Sequence, residues 1–178
     1  MRIYLPATLS MLFALNDSGE FRPVGGTAFA LTPALREAYL EGDDEELAEA
    51  AIREAARASL RLLAAELDDQ ADDDNSDENG RKRLPARRVV IAADLDEVTP
   101  RPDLDVAVVK ASAVIGRAAI ASVLIDGADA EDKVIRAVAL VDSADLGDED
   151  AELAVGDVED FDLGWYATQE LPFLLELL

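Results

Sequence analysis

The sequence predicts a single α+β domain: a two-layer sandwich with a mixed or largely antiparallel sheet and helices on one face, ferredoxin-like in arrangement. A small doubly wound α/β sheet is the alternative. Three observations lead there. Short β-branched segments alternate with longer stretches whose apolar residues recur at spacings of three and four. Two or three strand-like segments follow one another in the middle of the chain. A length of 178 residues suits one domain that buries about 70% of the surface its unfolded chain exposes.

Arg2 to Leu5 alternates polar and apolar side chains and reads as a first strand that Pro6 stops. Thr8 then caps a helix carrying Leu9, Met11, Leu12, Phe13 and Leu15, closed by the turn cluster from Asn16 to Gly19. Thr27 to Leu31 is a second strand, and Thr32 followed by Pro33 marks a helix start. Beyond Gly42, Asp43 and Glu46 form a capping box for a longer helix reaching Leu67. Its acids Glu45, Glu46 and Glu49 sit at the positive end of the dipole, with Arg53, Arg57 and Arg61 following at i+4.

Residues 68 to 85 read as a mobile charged insert, because eight acids without a base lie between Glu66 and Glu78, followed by the basic run Arg81 to Arg88. So dense a charge block cannot bury enough apolar area to offset its ordering entropy. The basic run is read as neutralised by the adjacent acids rather than as a nucleic-acid contact. Strands are then expected at Val89 to Ala93, around Val106 to Val109, and from Ala119 to Asp126. Val134, Ile135, Val138 and Leu140 mark a helix that Asp129 or the turn before it can cap. Asp145 to Asp160 is acidic and shows no decisive period, with Leu153 to Val155 open between strand and helix. Leu163 to Ala167 is a last strand bearing Trp165 and Tyr166, and Thr168 caps a terminal helix with Leu171, Phe173, Leu174, Leu175, Leu177 and Leu178.

Composition narrows the chemistry. The chain has no His and no Cys, which removes the imidazole base, the thiolate nucleophile, disulfides and ordinary zinc sites. A Ser-His-Asp triad is therefore impossible. Gly25 and Gly26 are the only glycine pair, and no phosphate-cradling glycine motif surrounds them. The net charge of −23 repels nucleic acid and anionic membrane and favours basic partners. No secretory signal precedes the first strand and no long uninterrupted apolar stretch occurs, so a cytoplasmic protein is expected.

Two sets of residues could still carry function. Trp165, Tyr166, Phe173, Leu174 and Leu177 form an apolar terminal group that could seat a protein partner or a second copy of the chain. Asp94, Asp96, Asp126 and Asp129 follow two strands, with Glu97 beside them. If those strands are parallel neighbours, their ends could converge on Mg²⁺ or Mn²⁺ and serve an enzyme acting on phosphate-containing substrates. A third reading makes the acidic surface a mimic of the phosphate backbone. A non-catalytic interaction or regulatory protein without a cofactor is preferred over both.

The opening MRIYLPAT, the TPALREAY segment and the closing WYATQELP resemble an uncharacterised family of proteins from high-GC Gram-positive (actinobacterial) bacteria. The resemblance implies a bacterial cytoplasmic setting and a charged insert dispensable to the fold. It implies no particular activity, cofactor or site residue.

Overall fold

Strand β1 (Arg2–Ala7) is the structural axis of the protein. In the computed structural model, which describes residues 1–72 and 83–178, all but its first residue are buried. Ile3, Leu5 and Ala7 point to one face of the sheet and Tyr4 to the other, as the two-residue period of a strand requires. Pro6 lies inside the strand rather than ending it, opposite Val90. On the other side of β1 the neighbouring strand is in register only at Tyr4↔Phe29, so the missing proline amide interrupts no rung there.

Six further strands extend the sheet: β3 (Thr27–Phe29), β4 (Val89–Asp94), β5 (Thr99–Pro100), β6 (Val108–Lys110), β8 (Ile120–Ile125) and β9 (Gly164–Ala167). Their order is β5-β6-β3-β1-β4-β8-β9, and every pairing is antiparallel. A separate antiparallel ribbon joins β2 (Glu20–Phe21) to β7 (Ile115–Gly116). The α+β class and the antiparallel sheet are those expected, and the doubly wound alternative falls with the absence of parallel pairs among the described strands. Two particulars differ. No parallel central pair of the split βαβ kind occurs among these strands, and helices cover both faces rather than one.

On the first face, α1 (Leu9–Ser18) and α6 (Leu171–Glu176) close over Ile3, Leu5, Ile91 and Val123. Thr8 caps α1 by accepting from the Met11 amide at 3.3 Å, and Gly19 ends it in the left-handed region at φ 75°. Thr168 is not the cap of α6. It donates to the Ile120 carbonyl at 2.9 Å, while the Glu170 carboxylate takes the Ala167 amide at 2.8 Å.

On the second face, α2 (Pro33–Ala38) and α3 (Asp44–Asp72) pack through Leu35, Ala51, Ala55 and Ala56 onto Tyr4, Phe29, Val90 and Ala92. Thr32 and the reciprocal Asp43–Glu46 box start these helices as the sequence predicts. The small alanines let α3 lie close to the sheet. It runs five residues past Leu67, so the first part of the expected insert is helical. Glu66 also ties α3 to the start of α1, taking hydrogen bonds from Thr8 and Ser10 at 2.5 and 2.6 Å. The central part of the insert, 73–82, lies outside the described residues.

A further cluster joins α3 to the two helices that follow β8. Leu60 and Leu63 pack against α4 (Glu131–Asp145) and α5 (Glu149–Val158), a helix pair with Val134, Val138, Val141 and Val155 at its core. No described helix is long and apolar enough to cross a membrane.

Candidate functional site

Where α3, β8 and α5 diverge, a recess of about 420 Å³ opens on the second face of the sheet. Ile52, Leu60, Leu124, Val155 and Leu163 supply its apolar walls, and Glu49, Arg53, Glu159 and Asp162 stand exposed around it. Arg57 and Arg88 also line it, but internal ion pairs consume both. Half of its lining residues are charged, so it suits a group that carries both an apolar and a polar part rather than a purely apolar ligand.

Arg88 holds one wall. Its side chain is 5% exposed and that of its partner Asp126 is fully buried. Asp126 accepts from the Arg88 amide, Nε and Nη2, each at 2.8 Å. The same Nη2 donates to the Phe161 carbonyl at 2.8 Å, tying residues 161–163 to the start of β4. Both charges are thus compensated by hydrogen bonds, the condition for tolerating an ion pair away from water.

Arg57 holds the opposite wall through Glu152 at 2.8 Å, and it also reaches Asp145 at 3.3 Å. Arg61 completes this clamp with Asp145 at 2.7 and 2.9 Å. Hydrogen bonding to Arg61 holds the Asp145 carboxyl below its usual range, and Arg57 does the same to Glu152. The clamp joins α3 to α4 and α5. Arg57 and Arg61, which read in sequence as partners for acids of their own helix, bridge between helices instead.

The terminal apolar group is divided by the sheet. Trp165 on β9 is registered opposite Leu124 and is 63% exposed, on the face that holds the recess. Tyr166, registered opposite Val123, packs partly into the first-face core together with Leu174. Phe173 and Leu177 project outward from α6 at 70% and 84% exposure. Trp165 therefore does not share a surface with the α6 residues, because adjacent strand positions point oppositely. β9 is the end of the sheet order, so its outer backbone edge pairs with no described strand.

The proposed metal ligands do not converge. β4 and β8 are neighbours but antiparallel, with Val89 opposite Ile125. Asp126 therefore lies beside Arg88, six positions from Asp94, or about 20 Å along the strand at ~3.4 Å per residue. Asp94 pairs with Arg2 at 2.7 Å, which holds its carboxyl below the usual range, and Asp126 is spent on Arg88. Asp96, Glu97 and Asp129 belong to the turns after the two strands, Asp96 and Glu97 near Asp94 and Asp129 near Asp126. Among the described residues no group of three carboxylates could hold a metal ion. The basic run likewise has specific partners at its described end, since Arg87 meets Glu131 at 2.8 Å as Arg88 meets Asp126.

Sequence reasoning missed the recess because its walls come from four separate segments. One local signal was present: Arg53 and Arg57 recur on a single helical face alongside Ile52, Ala56 and Leu60. No curated protein and no solved structure matches the chain. One family model does, over residues 1–175, and by that match the chain belongs to DUF6912, a family of unknown function.

Proposed function

We propose that this is a non-catalytic, cytoplasmic interaction or regulatory protein that meets a basic protein partner at the β9 edge. The observation that carries the reading is Trp165, an indole 63% exposed on an edge strand and registered beside Leu124 of the recess. Large aromatics in such positions are the commonest anchors of protein interfaces. A free strand edge adds backbone donors and acceptors to which an extended segment can pair. The net charge of −23 favours basic surfaces and speeds their encounter at low salt. Phe173 and Leu177, on the other side of the sheet, would form a second, independent contact.

The residue inventory supports binding over catalysis, since imidazole and thiol are absent from the chain and the strand-end carboxylates lie at opposite ends of β4. Copurification from the native host at moderate salt tests the reading. A stoichiometric basic partner is expected, retained by the native chain and lost with Trp165→Ser at unchanged thermal stability. A clean monomer, or a partner held equally by the variant, overturns it.

A further inference from the structure

We propose that the recess between α3, β8 and α5 is a pocket for a cation carried on an apolar stem, an arginine or lysine side chain projecting from the basic partner. The inference rests on the interaction reading above and adds the chemistry of the contact. Shape comes first: about 420 Å³ lined by Ile52, Leu60, Leu124 and Leu163 accommodates an aliphatic or aromatic stem and removes it from water. Charge decides the head group. Of the three guanidinium groups at the recess, Arg57 is taken by Glu152 and Arg88 by Asp126, which leaves Arg53 without an ion pair among the described residues.

Against that one cation stand Glu49, Glu159 and Asp162, three exposed carboxylates that make no ion pair with any described residue. The surplus at the mouth is negative, and an anion would meet it as well as the field of the whole chain. A guanidinium or ammonium group would instead gain charge-assisted hydrogen bonds to the rim while its stem fills the recess. Trp165, opposite Leu124 and two positions beyond Leu163, continues the apolar surface outward and offers its ring to a cation approaching along β9.

The probe is benzamidine, compared with its neutral isostere benzamide and with benzoate, followed through backbone amide and indole NMR shifts at physiological salt. Saturable benzamidine shifts are expected at Ile52, Leu124, Leu163 and Trp165, with benzamide about tenfold weaker and benzoate without effect. The double variant Glu159→Gln with Asp162→Asn is expected to lose about tenfold in benzamidine affinity. Should that variant lose its fold, Glu49→Gln, a change on the exposed side of a long helix, is expected to weaken binding about threefold.

Equal binding of benzamidine and benzamide overturns the proposal. So do shifts that spread over the surface without saturating, or that persist undiminished in the rim variants. The two readings fail separately. Localised benzamidine binding without a copurifying protein removes the partner and leaves the cation pocket. A Trp165-dependent partner with no benzamidine site removes the pocket and leaves the interface.

Discussion

Replacing Asp126 by asparagine leaves Arg88 as a buried cation facing an amide. In the native protein the Asp126 carboxylate receives three hydrogen bonds at 2.8 Å, two of them from the guanidinium and one from the Arg88 backbone. An asparagine can keep its oxygen on one side only, and its NH₂ group then opposes an N–H donor on the other. With the two side chains 5% and 0% exposed, water cannot enter to compensate. Breaking one half of a buried pair typically costs about 3–5 kcal/mol, whereas replacing both halves by apolar groups costs far less.

For a chain of 178 residues, each kcal/mol moves Tm by about 2–4 °C, so Asp126→Asn should melt about 6–20 °C below the native protein. Arg88→Met with Asp126→Leu removes both charges but strands the Arg88 amide and the Phe161 carbonyl. A residual loss of about 1–3 kcal/mol is expected from those orphaned backbone groups. Urea unfolding followed by circular dichroism, at constant m-value, measures Asp126→Asn and the four members of the cycle: the native chain, Arg88→Met, Asp126→Leu and the double variant. A single-variant loss below about 1 kcal/mol, or a double variant that costs the sum of both singles, would refute the reasoning that burial makes this pair interdependent.

Three further outcomes follow from the same structure. Asp145 and Glu152 are held below their ordinary values of 3.8 and 4.5 by Arg61 and Arg57, so their stabilisation is full above those values and drains away as pH falls through the lowered ones. Acid titration of stability should therefore steepen below about pH 4, and Arg57→Leu with Arg61→Leu should flatten that limb; an unchanged slope would count against the clamp. Mg²⁺ or Mn²⁺ titration should produce only a salt-like thermal shift, identical in Asp94→Asn, because Asp94 and Asp126 occupy opposite ends of β4; a saturable shift lost in that variant would contradict the geometry. Ile91→Ala, in the centre of β4 with no exposed surface, should cost about 2–5 kcal/mol by urea unfolding, whereas Leu146→Ala, 90% exposed, should stay within about 0.5 kcal/mol.

Local chemistry was the legible part of the sequence. Thr8, Thr32 and the Asp43–Glu46 box each act within three residues, so their side chains announce the helix starts that the structure contains. The α5 helix was written just as locally, with Asp148 capping the Ala151 amide at 2.9 Å and Ala151, Ala154, Val155 and Val158 on its buried face. Small residues set among acids hid that period. The ribbon strands β2 and β7 are two residues long, too short for alternation to register.

Strand direction was the decisive unknown for the candidate sites. A parallel β4 and β8 would have gathered Asp94 and Asp126 at one end, and antiparallel pairing instead hands Asp126 to Arg88. The face of Trp165 depended on the same kind of information, since only the register Leu124↔Trp165 places the indole beside the recess and away from Phe173. The recess is assembled from α3, β8, α5 and the 159–163 turn, and no spacing within one segment encodes such a meeting.

The interaction reading stands most directly on which surface a partner uses. Retention of a basic partner at moderate salt, compared across the native chain, Trp165→Ser and Phe173→Ser, separates the β9 edge from the outer face of α6. Retention by the native chain and Phe173→Ser with loss in Trp165→Ser is the result expected here; full retention by Trp165→Ser would contradict it.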